Sequence, residues 1–220
     1  MKISALVFDA YGTLFDVHSV IALCGEIWPG KGQAVSQLWR SKQLEYTWQR
    51  SLMGRYEDFS RVTEAGLRYA CRTLGLALDD AKLQRLMDAY LRLATFPEVI
   101  NALGALSGKK LAILSNGSPA MLEPVVAHAG LSGVISSIIS VDSIGIYKPS
   151  PRVYALAEKA LGVPKESIGF VSSNCWDACG AKAYGFTTFW VNRAGAPVEE
   201  LGNAPDFEIV NLAGLAALVG

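Results

Sequence analysis

The chain of 220 residues carries 20 Lys and Arg against 20 Asp and Glu, so its formal net charge at pH 7 is zero. Its composition is 51% hydrophobic and 18% charged, which suits a packed fold and excludes a disordered chain. The neutral balance predicts no attraction to nucleic acid or an anionic membrane, and no apolar run is long enough to cross a bilayer.

The N-terminus begins with a short apolar run that stops at Asp9. Such a run is too short for a secretory signal, so we expect a cytoplasmic protein. The cysteines show no spacing typical of a metal site, and in a reducing compartment we expect free thiols. They are Cys24, Cys71, Cys175 and Cys179.

Residues 3–8 form the first predicted element, a buried parallel strand. Asp9 stands at the end of this strand, and Gly12 follows three residues later. In open α/β sheets, ligands bind beyond the carboxyl ends of the strands. A carboxylate there, beside a loop that offers backbone N–H groups, is therefore a candidate for catalysis.

Residues 17–95 contain no strand-like run, and apolar residues recur there at helical spacing. On one predicted helix, Arg40 shares a face with Leu44 and Trp48. The last helical pattern ends before Pro97. We therefore predict that residues 17–95 form an inserted helical cap.

From residue 96 onward, short apolar runs alternate with helical patterns. The predicted strands are 3–8, 110–114, 135–140, 168–171, 187–191 and 207–210. The predicted helices are 99–106, 121–129, 151–161, 177–184 and one at the C-terminus. This alternation predicts an α/β fold with a doubly wound parallel sheet. Residues 1–16 and 96–220 form this core, with the cap over the carboxyl edge of the sheet and hinges near residues 16 and 95.

Polar clusters follow several of the predicted strands. They are Asp9 with Thr13, Ser115 with Asn116, Lys148, and Ser173 and Asn174 with Asp177. Because the carboxyl ends of parallel strands meet at one edge of a sheet, these side chains should converge in one cleft.

This combination resembles the haloacid dehalogenase superfamily. The first motif of that superfamily is D-x-D-G-T, and residues 9–13 read D-A-Y-G-T. Ser115 matches the second motif and Lys148 the third. The fourth motif of its phosphatases is G-D-x-x-x-D, whereas residues 172–177 read S-S-N-C-W-D.

Two departures from the phosphatase pattern indicate the subclass. Tyr11 stands where phosphatases have their general acid/base carboxylate, and Ser173 stands where they have a Mg²⁺ ligand. Because Mg²⁺ prefers carboxylate oxygens, metal-assisted phosphoryl transfer is not expected. The D-x-Y-G-T, S-N-G and S-S-N-x-W-D motifs instead resemble the L-2-haloacid dehalogenases, as does Arg40 on the first cap helix.

The resemblance implies hydrolysis of short-chain L-2-haloalkanoic acids to D-2-hydroxy acids through an ester on Asp9, without a metal or cofactor. It makes these residues catalytic: Asp9, Thr13, Arg40, Ser172, Lys148, Asn174 and Asp177. It places these against the substrate: Ala10, Tyr11, Arg40, Leu44, Phe59, Ser115, Asn116, Tyr154 and Trp176. The halide site would comprise Arg40, Asn116 and Trp176.

Some roles within this set remain alternatives. Asp177 or Asn174 positions or deprotonates the hydrolytic water. The alternative role of Asp177 is an ion pair with Lys148, and the two roles are compatible. Thr13 and Ser172 orient the nucleophile or the lysine. Tyr154 supports Lys148 or contacts the substrate carboxylate.

The expected partners are a haloacid and water, with neither nucleic acid nor membrane. A homodimer is also expected, since the family is commonly dimeric and the cap aromatics Trp28 and Trp39 look exposed. The alternatives are a phosphatase or phosphonate hydrolase of the same superfamily, and a binding module that has lost its metal site.

Overall fold

The computed structural model describes residues 3–220. Within these residues, six strands form one parallel sheet in the order β3-β2-β1-β4-β5-β6. They are β1 (Ala5–Phe8), β2 (Lys110–Ser115), β3 (Ser137–Ser140), β4 (Ile168–Ser172), β5 (Thr187–Val191) and β6 (Phe207–Ile209). The chain adds strands outward from β1 on one side and then on the other. This arrangement confirms the predicted α/β fold with a doubly wound sheet.

Helices connect the strands and fill the long segment after β1. The α-helices are α1 (Ile21–Ile27), α2 (Gly32–Leu52), α3 (Phe59–Thr73), α4 (Asp80–Tyr90), α5 (Val99–Gly104), α6 (Pro119–His128), α7 (Pro151–Leu161), α8 (Cys175–Tyr184) and α9 (Leu215–Val219). Short 3-10 helices cover Val17–Val20, Val141–Ser143, Lys165–Ser167 and Leu212–Gly214. The largest shifts from the predicted bounds are two residues, as where α8 begins at Cys175 and β3 at Ser137.

Strand β1 lies at the centre of the sheet, and its four side chains are completely buried. Phe8 pairs with Ile113 of β2 on one side and Val171 of β4 on the other. The N–H of Asp9 continues this ladder by donating to the carbonyl of Val171 at 2.9 Å. Asp9 therefore leaves the sheet between two neighbouring strands.

Helices α2 and α3 pack closely against each other. A Cβ atom on Gly66 would lie 3.2 Å from the backbone nitrogen of Gln43 and 3.3 Å from the Trp39 ring, so glycine permits this approach. Asp58 caps the start of α3 by accepting hydrogen bonds from the N–H groups of Ser60 and Arg61.

The two ends of the helical segment 17–95 lie side by side. The N–H of Asp16 donates to the carbonyl of Ala94 at 2.8 Å, and the N–H of Phe96 donates to that of Leu14 at 3.2 Å. These paired crossings lie where the sequence predicts hinges. The division into a core (1–16 and 96–220) and a cap (17–95) stays a prediction.

The expectation that Trp28 and Trp39 are exposed is wrong. Trp28 is 8% exposed and its indole N–H donates to the carbonyl of Ala77, while Trp39 is completely buried. The Trp39 ring lies 4.7 Å from the Tyr90 ring, and its N–H donates to the carbonyl of Thr63. Packing within residues 17–95 covers both rings, so the homodimer expectation loses this support and stays a prediction.

None of the helices in residues 3–220 is long and apolar enough to span a membrane.

Candidate active site

The segments after β1, β2, β3 and β4 bring the predicted polar residues together. Asp9 is almost completely buried, and Lys148 and Asp177 are buried beside it. Asn174 joins them at the N-cap of α8. Polar side chains that are far apart in the chain therefore contact one another at the carboxyl ends of the strands, as predicted.

The carboxylate of Asp9 accepts three hydrogen bonds, which differ between its two oxygens. Oδ2 accepts from the Thr13 hydroxyl and from the Asn174 side-chain amide, each at 3.0 Å. Oδ1 accepts from Nζ of Lys148, also at 3.0 Å. Oδ2 is thus held by two uncharged donors, whereas Oδ1 faces a single cation and has more lone-pair capacity left.

Lys148 bridges two buried carboxylates. Its Nζ donates to Asp9 and, at 2.8 Å, to Oδ2 of Asp177. Burial alone would lower the pKa of Lys148, but attraction to Asp177 and Asp9 outweighs burial and raises it. Lys148 is therefore a permanent cation at neutral pH.

Asp177 is completely buried, and both of its oxygens are engaged. Oδ1 accepts from the Tyr154 hydroxyl at 2.8 Å, and Oδ2 accepts from Lys148. Burial raises the pKa of Asp177 to about 6, against the lowering effect of Lys148. Tyr154 therefore contacts the carboxylate that pairs with Lys148.

Gly12 allows the loop after β1 to turn back on itself. Its φ of 94° lies in the left-handed region that favours glycine. The Ser173 hydroxyl donates to the Gly12 carbonyl at 2.5 Å, and the Ser173 N–H donates to the Thr13 hydroxyl oxygen at 2.9 Å. Ser173 thus ties the fourth motif to the first.

Arg193 holds the same loop from outside, a contact that the sequence analysis missed. Its guanidinium donates to the carbonyls of Gly12 at 3.2 Å and Thr13 at 3.0 Å. Glu98 pairs with it at 2.7 Å, and the Phe96 ring lies 3.7 Å away. The sequence feature that could have indicated Arg193 is its position, as a cation just beyond the end of the buried strand β5.

Tyr11 lies in an aromatic wall beside the nucleophile. Its ring centroid is 5.5 Å from that of Phe59 and 6.2 Å from that of Tyr90. Among the described residues, the buried Tyr11 hydroxyl has no hydrogen-bond partner. Burial raises the pKa of Tyr11 far above its usual range. Tyr11 is thus suited to exclude water and unsuited to exchange protons at neutral pH.

A cleft of about 440 Å³ reaches this region from solvent and contains other predicted site residues. Arg40, Leu44, Asn174 and Trp176 line it. The Trp176 ring packs edge-on against Trp48 at 5.3 Å. Apolar side chains and a guanidinium group therefore face one space.

Ser115 ends β2 and Asn116 follows it, and each keeps a hydrogen-bond donor that its described contacts do not use. The Ser115 hydroxyl oxygen accepts from the N–H of Gly117 at 3.0 Å, which leaves its proton free. Oδ1 of Asn116 accepts from the N–H of Lys148 at 3.0 Å, which leaves the Asn116 amide protons. Ala10 is buried, and its carbonyl accepts N–H groups from within its own loop.

Ser172 lies beside this group and contacts a different residue from those predicted. Its hydroxyl oxygen accepts from the N–H of Asn174 at 3.2 Å. It therefore orients the start of α8, and through Asn174 it acts on Asp9.

The relatives of this chain agree over nearly its whole length. A family model described as haloacid dehalogenase-like hydrolase matches residues 3–185. An (S)-2-haloacid dehalogenase of Pseudomonas sp. (strain YL) is 54% identical over 218 residues, covering 98% of this chain and 94% of that protein. Haloacetate dehalogenase H-2 of Moraxella sp. (strain B) is 51% identical over 210 residues, covering 94% of each.

A solved structure with a bound reactant has the same fold. It is the L-2-haloacid dehalogenase from Xanthobacter autotrophicus with chloropropionic acid covalently bound. Its TM-score is 0.93 at 44% identity, and the match covers 99% of this chain and 98% of that one.

Proposed function

The chain belongs to the haloacid dehalogenase-like hydrolases and is an (S)-2-haloacid dehalogenase, and from this premise we propose how it acts. It hydrolyses short-chain L-2-haloalkanoic acids to D-2-hydroxy acids through an aspartyl ester on Asp9. The observation that carries the mechanism is the Asp9 carboxylate, fixed by Thr13 and Asn174 and paired with the buried Lys148.

In the first step, Oδ1 of Asp9 attacks carbon 2 from the side opposite the halogen. The new C–O bond forms as the C–X bond breaks, and the halide leaves with the electron pair. Because the substrate is also an anion, two unit charges at 4 Å and an effective dielectric near 20 repel by about 4 kcal/mol. Lys148 offsets this repulsion, since its Nζ lies 3.0 Å from the attacking oxygen.

The substrate carboxylate lies against the N–H groups of Ala10 and Tyr11 and the hydroxyl of Ser115. The support is the free proton of Ser115, whose oxygen already accepts from Gly117. The alkyl group faces a wall of apolar and aromatic side chains. Its residues are Tyr11, Leu44, Phe59 and Trp176.

The leaving halide lies among Arg40, Asn116 and Trp176. Arg40 and Trp176 line the same cleft, and the free amide protons of Asn116 supply a second donor. Donors fixed before the reaction act most strongly on charge that develops in the transition state.

In the second step, water attacks Cγ of the Asp9 ester. Negative charge develops on Oδ2, which already accepts hydrogen bonds from Thr13 and Asn174. Asp177 takes the proton of the water, because an amide cannot, and Asn174 positions the water. The Cγ–Oδ1 bond then breaks, and Oδ1 leaves with the product and takes up the proton held by Asp177. The product hydroxyl therefore carries an oxygen of Asp9, the oxygen of water replaces it in the carboxylate, and the second proton of the water passes to solvent.

The residues of the site do not fit a divalent metal, and we expect no metal or cofactor in the reaction. Lys148 lies 3.0 Å from Asp9. Ser173 stands where phosphatases place a carboxylate, and its hydroxyl donates to a carbonyl. Residues 3–220 contain no group of three or more His, Cys, Asp and Glu arranged to hold a metal ion.

Residues 17–95 act as a cap that excludes bulk water from the cleft. The support is that Arg40 and Leu44 of α2 line the cleft together with residues of the α/β core. The protein acts in the cytoplasm as a homodimer, with neither nucleic acid nor membrane as a partner.

The test is incubation of the chain with L-2-chloropropionate in buffer treated with a chelator. The measurements are chloride released and the chirality of the lactate formed. The proposal predicts chloride, D-lactate, no effect of the chelator, and no turnover by Asp9→Asn. Activity that needs Mg²⁺, or chloride release by Asp9→Asn at the wild-type rate, would contradict it.

A further inference from the structure

Gln43 is a buried amide in α2 whose two ends are both hydrogen-bonded. Its Oε1 accepts from Nη1 of Arg40 at 2.7 Å, and its Nε2 donates to the Thr63 hydroxyl oxygen at 2.7 Å. Gln43 and Thr63 are completely buried. Burying polar groups is costly unless they find partners, so this arrangement is a fixed element of the cap.

The orientation of the amide is determined by Thr63. The Thr63 hydroxyl donates to the carbonyl of Phe59 at 2.6 Å, so towards Gln43 it offers a lone pair. The NH₂ end of Gln43 must therefore face Thr63, and its oxygen must face Arg40. A flipped amide would point its NH₂ group at the guanidinium of Arg40. A guanidinium carries only donors and no acceptor, so no hydrogen bond could form.

Arg40 is thereby held at two points. Nη1 donates to Gln43, and Nη2 donates to the carbonyl of Tyr11 at 3.0 Å. A guanidinium has five N–H groups, so donors remain for a ligand in the cleft that Arg40 lines. The Tyr11 contact anchors Arg40 to the loop that carries the nucleophile, and the Gln43 contact anchors it to the cap.

We propose that Gln43, held by Thr63, is the positioning residue that aims Arg40 at the departing halide. This inference rests on the proposed dehalogenation. Gln43 touches no reacting atom and acts through Arg40. Loss of the Gln43 amide should therefore slow the reaction most for the substrate with the poorest leaving group.

Two leaving groups separate positioning from general damage. Chloride is a poorer leaving group than bromide, so it depends more on donors that stabilise the developing anion. In Gln43→Leu, single-turnover release of chloride from L-2-chloropropionate should fall about 10- to 100-fold, as expected for a misplaced catalytic group. Release of bromide from L-2-bromopropionate should fall less, so the bromide-to-chloride rate ratio should rise. Inhibition by added bromide should weaken.

A double-mutant cycle with Arg40→Met tests the route of the effect. If Gln43 acts through Arg40, Gln43→Leu should cause no further loss in the Arg40→Met background. Additive losses would overturn the inference, as would equal losses for the two substrates.

Thr63 variants keep the inference testable if Gln43→Leu fails to fold. Thr63→Val removes the lone pair that orients Gln43 and should raise the rate ratio in the same direction, whereas Thr63→Ser should restore it. Thr73→Val, at the exposed end of the same helix, is the matched control. An unchanged ratio in Thr63→Val overturns the inference. Absence of halide release by the wild type would instead contradict the proposed function.

Discussion

Replacing Lys148 with methionine tests the charge balance of the site. Lys148 is 1% exposed, and its Nζ lies 3.0 Å from Asp9 and 2.8 Å from Asp177. At an effective dielectric near 20, each of these attractions is worth about 6 kcal/mol before the cost of burying the charges. Lys148→Met keeps the length of the side chain and leaves two buried carboxylates without their cation.

The expected cost is about 3–5 kcal/mol of unfolding free energy near pH 8, as for one partner lost from a buried ion pair. The cost should depend on pH. Burial raises the pKa of Asp177 to about 6 even with Lys148 present, and in the variant it rises further. An acid whose folded pKa exceeds its unfolded value loses stability as pH rises through that interval. The deficit should therefore shrink towards pH 5, where Asp177 can hold a proton.

The assay is urea unfolding of wild type and variant at pH 5, 6 and 8, with halide release measured on the same samples. Lys148→Met should release no halide. The double variant Lys148→Met/Asp177→Asn should recover part of the stability, because it removes one buried charge. A deficit that is equal at pH 5 and pH 8, or one below about 1 kcal/mol at pH 8, would refute the reasoning.

Three further predictions concern groups around the nucleophile. Steady-state turnover should decline as pH falls through about 6, because Asp177 is then already protonated and cannot accept a proton from the water that hydrolyses the ester; a flat profile of turnover from pH 8 to 5 would argue against this role. Arg193→Met should lower the unfolding free energy by about 1–2 kcal/mol, because the loop carbonyls and Glu98 lose a charged partner. The exposed Arg92→Met is its control, and equal urea midpoints for Arg193→Met and the wild type would show that Arg193 does not stabilise the loop. Tyr11→Phe should lose less than about tenfold in turnover and be equally stable or up to about 1 kcal/mol more so, because the deleted hydroxyl has no partner among the described residues; loss of all activity would show that this phenol takes part in proton transfer.

The sheet could be predicted because its strands are buried on both faces. Such strands appear as continuous apolar runs, and β1, β2 and β4 end at the polar residues that the site uses. The exact ends differed by up to two residues, since a strand or helix terminus depends on local hydrogen bonds. One example is Asn174, whose extended backbone starts α8 before the predicted position.

The contacts within the cap could not be predicted from spacing. The sequence analysis did not single out Gln43, and its burial follows from the close approach of α2 and α3 at Gly66. Trp39 was wrongly expected on the surface, since periodicity identifies a helical face without showing which helix covers it. Trp28 was wrongly expected there too, because its indole packs against the segment at Ala77, far away in the sequence. Tertiary packing, which the sequence pattern does not contain, decides these positions.

The contacts that each site residue makes could also not be predicted from the sequence. Motif spacing suggests that Asp9, Lys148 and Asp177 converge, and an ion pair between Asp177 and Lys148 was one expected role. That Lys148 donates to both carboxylates at once is visible only in the structure. Nor does motif spacing show that Tyr154 reaches Asp177, or that Ser172 acts on the backbone of Asn174. These details depend on side-chain directions, which the loops determine.

The most direct test of covalent catalysis is a single turnover in water enriched in oxygen-18, with enzyme in excess over L-2-chloropropionate. The ester mechanism predicts that the heavy oxygen enters the carboxylate of Asp9, detected by mass spectrometry of the peptide that contains it, while the lactate stays unlabelled. Heavy oxygen in the lactate, with an unlabelled Asp9, would show that water attacks the substrate carbon directly and would contradict the account.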